Sequence, residues 1–134
     1  MPRLVYALLC ADLIIDRDSN STSLIRTVEH AVVPALPATL PPLFFVSLWE
    51  LDSEGGQPFT VSLTLTPPKG EGIMLGIQEV SPGATMLHKM NFQLPGLKVA
   101  AEGRHTLSAA IKTDSGWQTK VELPLFVFTG TNAS

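Results

Sequence analysis

Apolar and polar residues alternate strictly along several stretches of the chain. The clearest is residues 59–66, in which Phe59, Val61, Leu63 and Leu65 alternate with threonine and serine. A period of two places the apolar side chains on one face of a β-strand and the polar side chains on the other. This stretch therefore predicts a half-buried strand, which the prolines and glycine that follow it end.

The alternation continues in the C-terminal half of the chain. Residues 86–94 predict a strand whose one face carries Met86, His88, Met90, Phe92 and Leu94. Residues 105–111 predict another, with a face made of His105, Leu107, Ala109 and Ile111. A short hairpin turn is predicted at Asp114, Ser115 and Gly116. In the return strand Pro124 marks a break or bulge, and one face consists of Trp117, Thr119, Val121 and Leu123.

Other stretches are apolar without clean alternation. Residues 43–51 and 125–128 are rich in strand-forming residues, and residues 72–80 form a weaker candidate. Residues 4–15 fit either a strand covered on both sides or a buried helix, and their β-branched residues favour the strand. Residues 23–33 have a helical spacing behind a possible Ser23 cap, but the polar turn before them favours a hairpin strand.

These elements predict the fold class. About eight strands separated by frequent turns indicate an all-β protein, either a sandwich or a barrel. The proline-rich residues 34–42 suit an extended crossover between two sheets and favour the sandwich. The prediction is a single domain, residues 1–134, that forms an antiparallel β-sandwich of immunoglobulin-like or related Greek-key type.

Composition narrows the choice of partner. The net charge is −3, and the nine lysines and arginines are scattered, so the clustered basic face that nucleic acid requires is not expected. No apolar run approaches the length of a membrane-spanning helix, about 20 residues. Charged residues make up only 16% of the chain, below the roughly 25% of average soluble domains, which leaves apolar surface for a partner.

The lone cysteine and the N-terminal apolar run bear on location. Cys10 has no second cysteine to pair with, so we expect a cytoplasmic protein. Residues 4–11 resemble the apolar part of a signal peptide, but Asp12 interrupts the run and no small-residue cleavage site follows. A lipid-bearing role for Cys10 is not predicted either, because Ala7 and Leu9 do not fit the lipoprotein pattern.

Two stretches carry a resemblance to known proteins. The first runs from ALLCADLIID through SLIRTVEHAVVPALPATLPP to FFVSLWEL, and the second is GRHTLSAAI followed by a Ser-Gly turn. Together they resemble a family of small uncharacterised bacterial all-β proteins catalogued as a domain of unknown function. The chain departs from that family at Asn20 and Ser21, where a glycine-containing turn is common. The resemblance implies strands in the N-terminal third and supplies no catalytic residue.

Several residue groups are candidates for chemistry. Asp16, Asp18 and Asn20 copy the start of a calcium loop, but Ser21 and Thr27 stand where its glycine and glutamate belong. We interpret them as a turn in which the side chains bond their own backbone. Residues 68–72 contain two glycines without the spacing of a phosphate loop, so a connecting loop is predicted.

Histidines and the thiol form a second group. His30, His88 and His105 show no metal-ligand spacing, and His88 is interpreted as a core or interface residue. Cys10 lies within an apolar run, which predicts a buried, inert thiol.

A further pair of candidates involves acids and aromatics. Asp52 and Glu54 are interpreted as solvated acids of a turn. Trp49, Trp117 and Phe59 could form a platform for a sugar, although strand aromatics more often fill the core.

These observations predict no enzyme activity and no catalytic, cofactor-binding or metal-ligating residue. The favoured function is a noncatalytic bacterial interaction or structural module, and the alternative is a sandwich that binds a small ligand such as a carbohydrate. Residues 43–46 and 125–128 are apolar on both faces, while a sheet in a sandwich covers only one. We therefore expect self-association as a homodimer, unless residues 34–42 cover the second face.

Overall fold

All regular structure in the described part of the chain is β-strand. The computed structural model describes residues 2–19, 21–51, 57–81 and 86–130. Within these ranges the strands are β1 (Arg3–Ile15), β2 (Thr22–Thr27), β3 (His30–Val33), β4 (Ala38–Thr39), β5 (Leu43–Glu50), β6 (Phe59–Thr66), β7 (Ile73–Val80), β8 (Leu87–Leu94), β9 (Lys98–Val99), β10 (Gly103–Thr113) and β11 (Gly116–Thr129).

The strands form two main sheets that share no strand. Sheet A has the order β2-β1-β5-β8, and sheet B has the order β3-β11-β10-β6-β7. Neighbouring strands are antiparallel except for β3 and β11, which are parallel. β4 and β9 form a separate two-stranded ladder. Two independent sheets around one core make a β-sandwich, so the predicted fold class is confirmed.

The core lies between the two sheets and is built from alternate residues of each strand. Sheet A contributes Phe45 and Trp49, and sheet B contributes Leu63, Leu107 and Leu125, all of them buried. The faces predicted for residues 59–66, 86–94 and 105–111 are confirmed by the strand register, except that Met86 precedes β8 and is exposed. Burial of each large apolar side chain stabilises the fold by about 1.5–3 kcal/mol.

The N-terminal third is β, as predicted, but residues 23–33 do not form one strand. They form β2 in sheet A and β3 in sheet B, and the chain passes between the sheets at Val28 and Glu29. Arg26 has a φ of 56° where β2 ends, a left-handed conformation that breaks the strand. The helical spacing of the sequence therefore reflects two short strands that bury different faces.

Two details of the last hairpin correct the sequence prediction. β11 continues through Pro124, which pairs with Thr106. The absent N–H is tolerated because β3 joins the other side of β11 only from Phe126 onward. The bulge lies instead opposite Ala109 and Ala110, where one extra residue enters β11. An extra residue inverts the alternation, so Trp117 faces outward, opposite to the predicted face.

Residues 34–42 form the predicted crossover, from β3 in sheet B to β5 in sheet A. Midway along, β4 pairs with β9, and Leu40 N–H donates to the carbonyl of Leu97 at 2.8 Å. Leu40 and Leu97 are both buried in the core cluster. The crossover thus closes one end of the sandwich and is held there by backbone hydrogen bonds.

The β1–β2 hairpin lies over part of the outer face of sheet A. β1 pairs with β5 only as far as Cys10, and from Cys10 onward it pairs with β2. β2 and β8 are opposite edges of the sheet, which three strand spacings separate by roughly 14 Å. Lys89 Nζ on β8 nevertheless donates to Thr22 Oγ1 on β2 at 3.1 Å. The far end of the β1–β2 hairpin must therefore fold back across the sheet.

Residues 43–46 are apolar on both faces, and part of their outer face is buried. Val46 and Cys10 point outward from sheet A, opposite to Phe45 and Leu9, yet both are buried. The hairpin tip, defined here as residues 15–19, 21 and 22, lines a cleft with the neighbouring Leu48 of β5.

Candidate functional site

The three histidines lie in different parts of the fold. His105 is buried, and its Nδ1–H donates to the carbonyl of Gly103 at 3.2 Å. His30 is exposed on β3, and His88 is half-buried on β8, where burial lowers the pKa of its imidazole. Across the described ranges, no group of three histidine, cysteine, aspartate or glutamate side chains could hold a metal ion.

The calcium-like sequence forms the turn at the hairpin tip. Asp16 Oδ1 accepts hydrogen bonds from the backbone N–H of Asp18, at 2.9 Å, and of Ser19, at 3.5 Å. These bonds lower the pKa of the Asp16 carboxyl, because they favour its charged form. The prediction of side chains bonding their own backbone is confirmed for Asp16, while Asn20 lies outside the described residues.

The two remaining loop candidates are residues 68–72 and the acids Asp52 and Glu54. Residues 68–72 connect β6 to β7 as predicted, with Gly70 at a φ of 110°, which disfavours any other residue. Asp52 and Glu54, interpreted from the sequence as acids of a turn, lie outside the described residues.

The three aromatics considered for a sugar platform do not come together. Trp49 and Phe59 pack against each other in the core, with ring centroids 5.7 Å apart, whereas Trp117 lies on the outer face of sheet B. Trp49 Nε1–H donates to Ser47 Oγ at 3.0 Å, and Ser47 Oγ donates to the carbonyl of Met90 at 2.9 Å. Two of the three aromatics therefore serve the core, as strand aromatics usually do.

Cys10 is fully buried, as the sequence predicted. Desolvation raises the pKa of its thiol above the ordinary value, and the thiolate is the reactive form.

We therefore expect native Cys10 to resist a disulfide reagent such as Ellman's reagent at mildly alkaline pH, and to react fully once urea unfolds the chain. A Ser115→Cys variant supplies a matched exposed thiol in the β10–β11 turn. Rapid reaction of one thiol in the native wild-type protein would contradict the burial.

One edge of sheet B presents apolar side chains to solvent. β7 is the last strand of the sheet, and its second backbone edge has no ladder partner among the described residues. Ile73, Met74 and Ile77 on this strand are all exposed. β7 contains no proline, lysine or arginine, the residues that commonly protect such an edge.

A second apolar surface lies at the opposite side of sheet B. Leu125 and Val127 face the core, while Phe126 and Phe128 face outward with parallel rings 6.3 Å apart. They border a shallow depression of about 400 Å³ with His30. The prediction that residues 125–128 are apolar on both faces is confirmed, and their outer face has no cover within the described chain.

The hairpin tip and sheet A enclose a cleft of about 780 Å³. One wall is the tip, with Ile15, Ser19 and Ser21, and the other consists of Leu48 on β5 and of residues on and next to β8, namely Met86, Leu87, His88, Lys89 and Asn91. Sequence patterns did not single out this site, because the two walls meet only when the hairpin folds back. The sequence signal that could have indicated this site was Lys89, a charged residue on a strand that also contributes to the core.

The chain was compared with family models and with curated proteins. No family model and no curated protein matches the chain. In the described part of the chain, no helix is long and apolar enough to cross a membrane.

Proposed function

We propose that this protein is a noncatalytic interaction module that self-associates through β7. The observation that carries the proposal is the exposed apolar edge of sheet B. Exposed strand edges pair readily with further strands, and natural proteins protect the edges that must stay single. An edge strand without lysine or proline and with Ile73, Met74 and Ile77 in solvent is better explained by a partner than by solvation.

The other edge strands are shielded in ways that β7 is not. β3 is only four residues long, and β2 carries Arg26. β8 carries Lys89, and the hairpin tip covers part of its outer face. β7 has one bulge near Leu75, but its register with β6 is regular from Gly76 to Val80. This regular stretch is the one that we propose pairs with a partner.

The proposed occupant is a second copy of the same strand. β7 carries one charged residue, Glu79, so two copies bring little charge to a shared interface. Antiparallel pairing of two β7 strands about a two-fold axis would join the two B sheets into one sheet of ten strands. Such isologous dimers are the commonest homo-oligomers.

Residues with reactive side chains support a noncatalytic role. The Cys10 thiol is buried, and the imidazole of His105 is hydrogen-bonded within the core. A single buried thiol also fits a reducing compartment, and we propose the cytoplasm.

The test is the mass of the particle in solution. We expect light scattering after size exclusion to give the mass of two chains, and Ile77→Lys to reduce it to one. Val32→Lys on β3 is the matched control, since Val32 is 50% exposed and Ile77 is 55% exposed. A single-chain mass at all micromolar concentrations would refute the proposal. A dimer broken by Val32→Lys alone would place the interface at Phe126 and Phe128.

A further inference from the structure

The free edge of β7 also limits how two copies can meet. We propose that the two β7 strands pair in a single register, in which Ile77 of one copy faces Ile77 of the other on the two-fold axis. This register rests on the proposed dimer and goes beyond it, because it names the residues that meet across the interface. The two strands that determine it, β6 and β7, are described over their whole length.

Symmetry restricts the registers that are possible. Antiparallel neighbours that are copies of one strand are related by a two-fold axis perpendicular to the sheet, so the face of each side chain is preserved. Side chains alternate between the two faces along a strand, and facing residues of two neighbouring strands point to the same face. The residue numbers of every facing pair therefore add up to one even number. One residue of β7 must lie on the axis and face its own copy.

The shape of β7 restricts the axis to the regular part of the strand. Pairing with β6 is irregular around Leu75 and regular from Gly76 to Val80. A bulge bends its strand and disrupts the ladder locally, so the interface needs the regular stretch. An axis at either end of this stretch would face its other residues with residues that lie outside it. The candidates that remain for the axis are Ile77, Gln78 and Glu79.

The side chains select Ile77 among these three. Ile77 and Glu79 pair with Ser62 and Thr60, which alternate with the core residues of β6, so both point away from the core. An axis at Glu79 would make two carboxylates face each other, which is destabilising. An axis at Gln78 would place each exposed Ile77 opposite a carboxylate. An axis at Ile77 forms an apolar pair and separates the two Glu79 Cα atoms by about 14 Å.

Cysteine cross-linking of the full chain distinguishes the three registers. Two cysteines form a disulfide when their Cα atoms are about 4.4–6.8 Å apart, and facing Cα atoms of antiparallel strands are about 4.5–5.5 Å apart. In the proposed register the two Gln78 Cα atoms are about 8 Å apart. We therefore expect Ile77→Cys to form a covalent dimer with diamide, which takes up the two protons and two electrons that the thiols lose. Gln78→Cys and Glu79→Cys should stay single chains on a denaturing gel.

Two controls accompany the cross-linking. Native Cys10 is buried and should stay reduced in every variant. Val32→Cys, on the exposed part of β3, reports disulfides that form by random collision. Cross-linking of Gln78→Cys or Glu79→Cys in place of Ile77→Cys, or of none of the three, in a protein with the mass of two chains would overturn the register and leave the dimer standing. A wild-type protein with the mass of one chain would refute the dimer itself.

A second measurement needs no new thiol. In the proposed register the two Glu79 carboxylates are separated by more than the screening length of physiological salt, about 8 Å. Glu79→Gln should therefore change the dissociation constant of the dimer by less than about twofold, measured by analytical ultracentrifugation. Tightening of the dimer by about tenfold or more would show that the carboxylates face each other and would overturn the register.

Discussion

Deletion of residues 1–11 is expected to leave a chain that cannot fold. β1 is an interior strand of sheet A, and it pairs with β5 on one side and β2 on the other. Its loss removes the buried Leu9 and Cys10 and the whole β1–β5 ladder, which runs from Arg3 to Cys10, so the rest of the β1–β2 hairpin is no longer joined to β5. Burial of two such residues is worth several kcal/mol, and domains are stable by only about 5–15 kcal/mol.

Near-ultraviolet circular dichroism and the dispersion of amide resonances would report this loss. Val5→Thr is the control, since Val5 is an exposed residue at a register shift of β1 and its replacement should leave the spectra unchanged. A truncated chain that keeps the melting transition of the full protein would show that the segment is dispensable.

Trp49→Ala is expected to lower the free energy of unfolding by about 3–5 kcal/mol, the usual loss for a large aromatic in a core. Trp49 is 0% exposed, and its indole packs on Phe59. The substitution also removes the indole N–H that donates to Ser47 Oγ in the core. The buried oxygen is left without this donor, which lowers the free energy of unfolding further.

The chain offers a matched control in its second tryptophan. Trp117 is 43% exposed, so Trp117→Ala is expected to change the free energy of unfolding by about 0.5 kcal/mol or less. Urea unfolding followed by far-ultraviolet circular dichroism measures both variants with one probe. Equal losses in the two variants would contradict the assignment of Trp49 to the core and Trp117 to the surface.

Strand periodicity predicted most of sheet B, because each of its longer strands buries the side chains of one face and exposes those of the other to solvent. β6 and β10 show this directly, with buried Val61, Leu63 and Leu107 between polar neighbours. Periodicity says little where side chains of both faces are buried, as in β5 and at Leu9 and Cys10 of β1. No local pattern encodes the contact between Thr22 and Lys89.

The errors have local physical causes. A bulge adds one residue to β11 and exchanges its faces, which placed Trp117 on the wrong side. The division of residues 23–33 depends on the left-handed conformation of Arg26, a residue type that gives no sign of it. The cleft was not predicted because its two walls come from the β1–β2 hairpin and from β8, which are far apart in sequence.

The parallel pairing of β3 with β11 has a consequence for how the protein is made. His30 lies beside Phe126 and Val33 beside Thr129, so an early strand stays without its neighbour until β11 has been synthesised. Contacts between distant parts of a chain slow folding, since a long loop must close before they form. During translation β3 and its exposed Val32 therefore lack this neighbour, and unpaired strand edges of that kind make partly folded chains prone to aggregation.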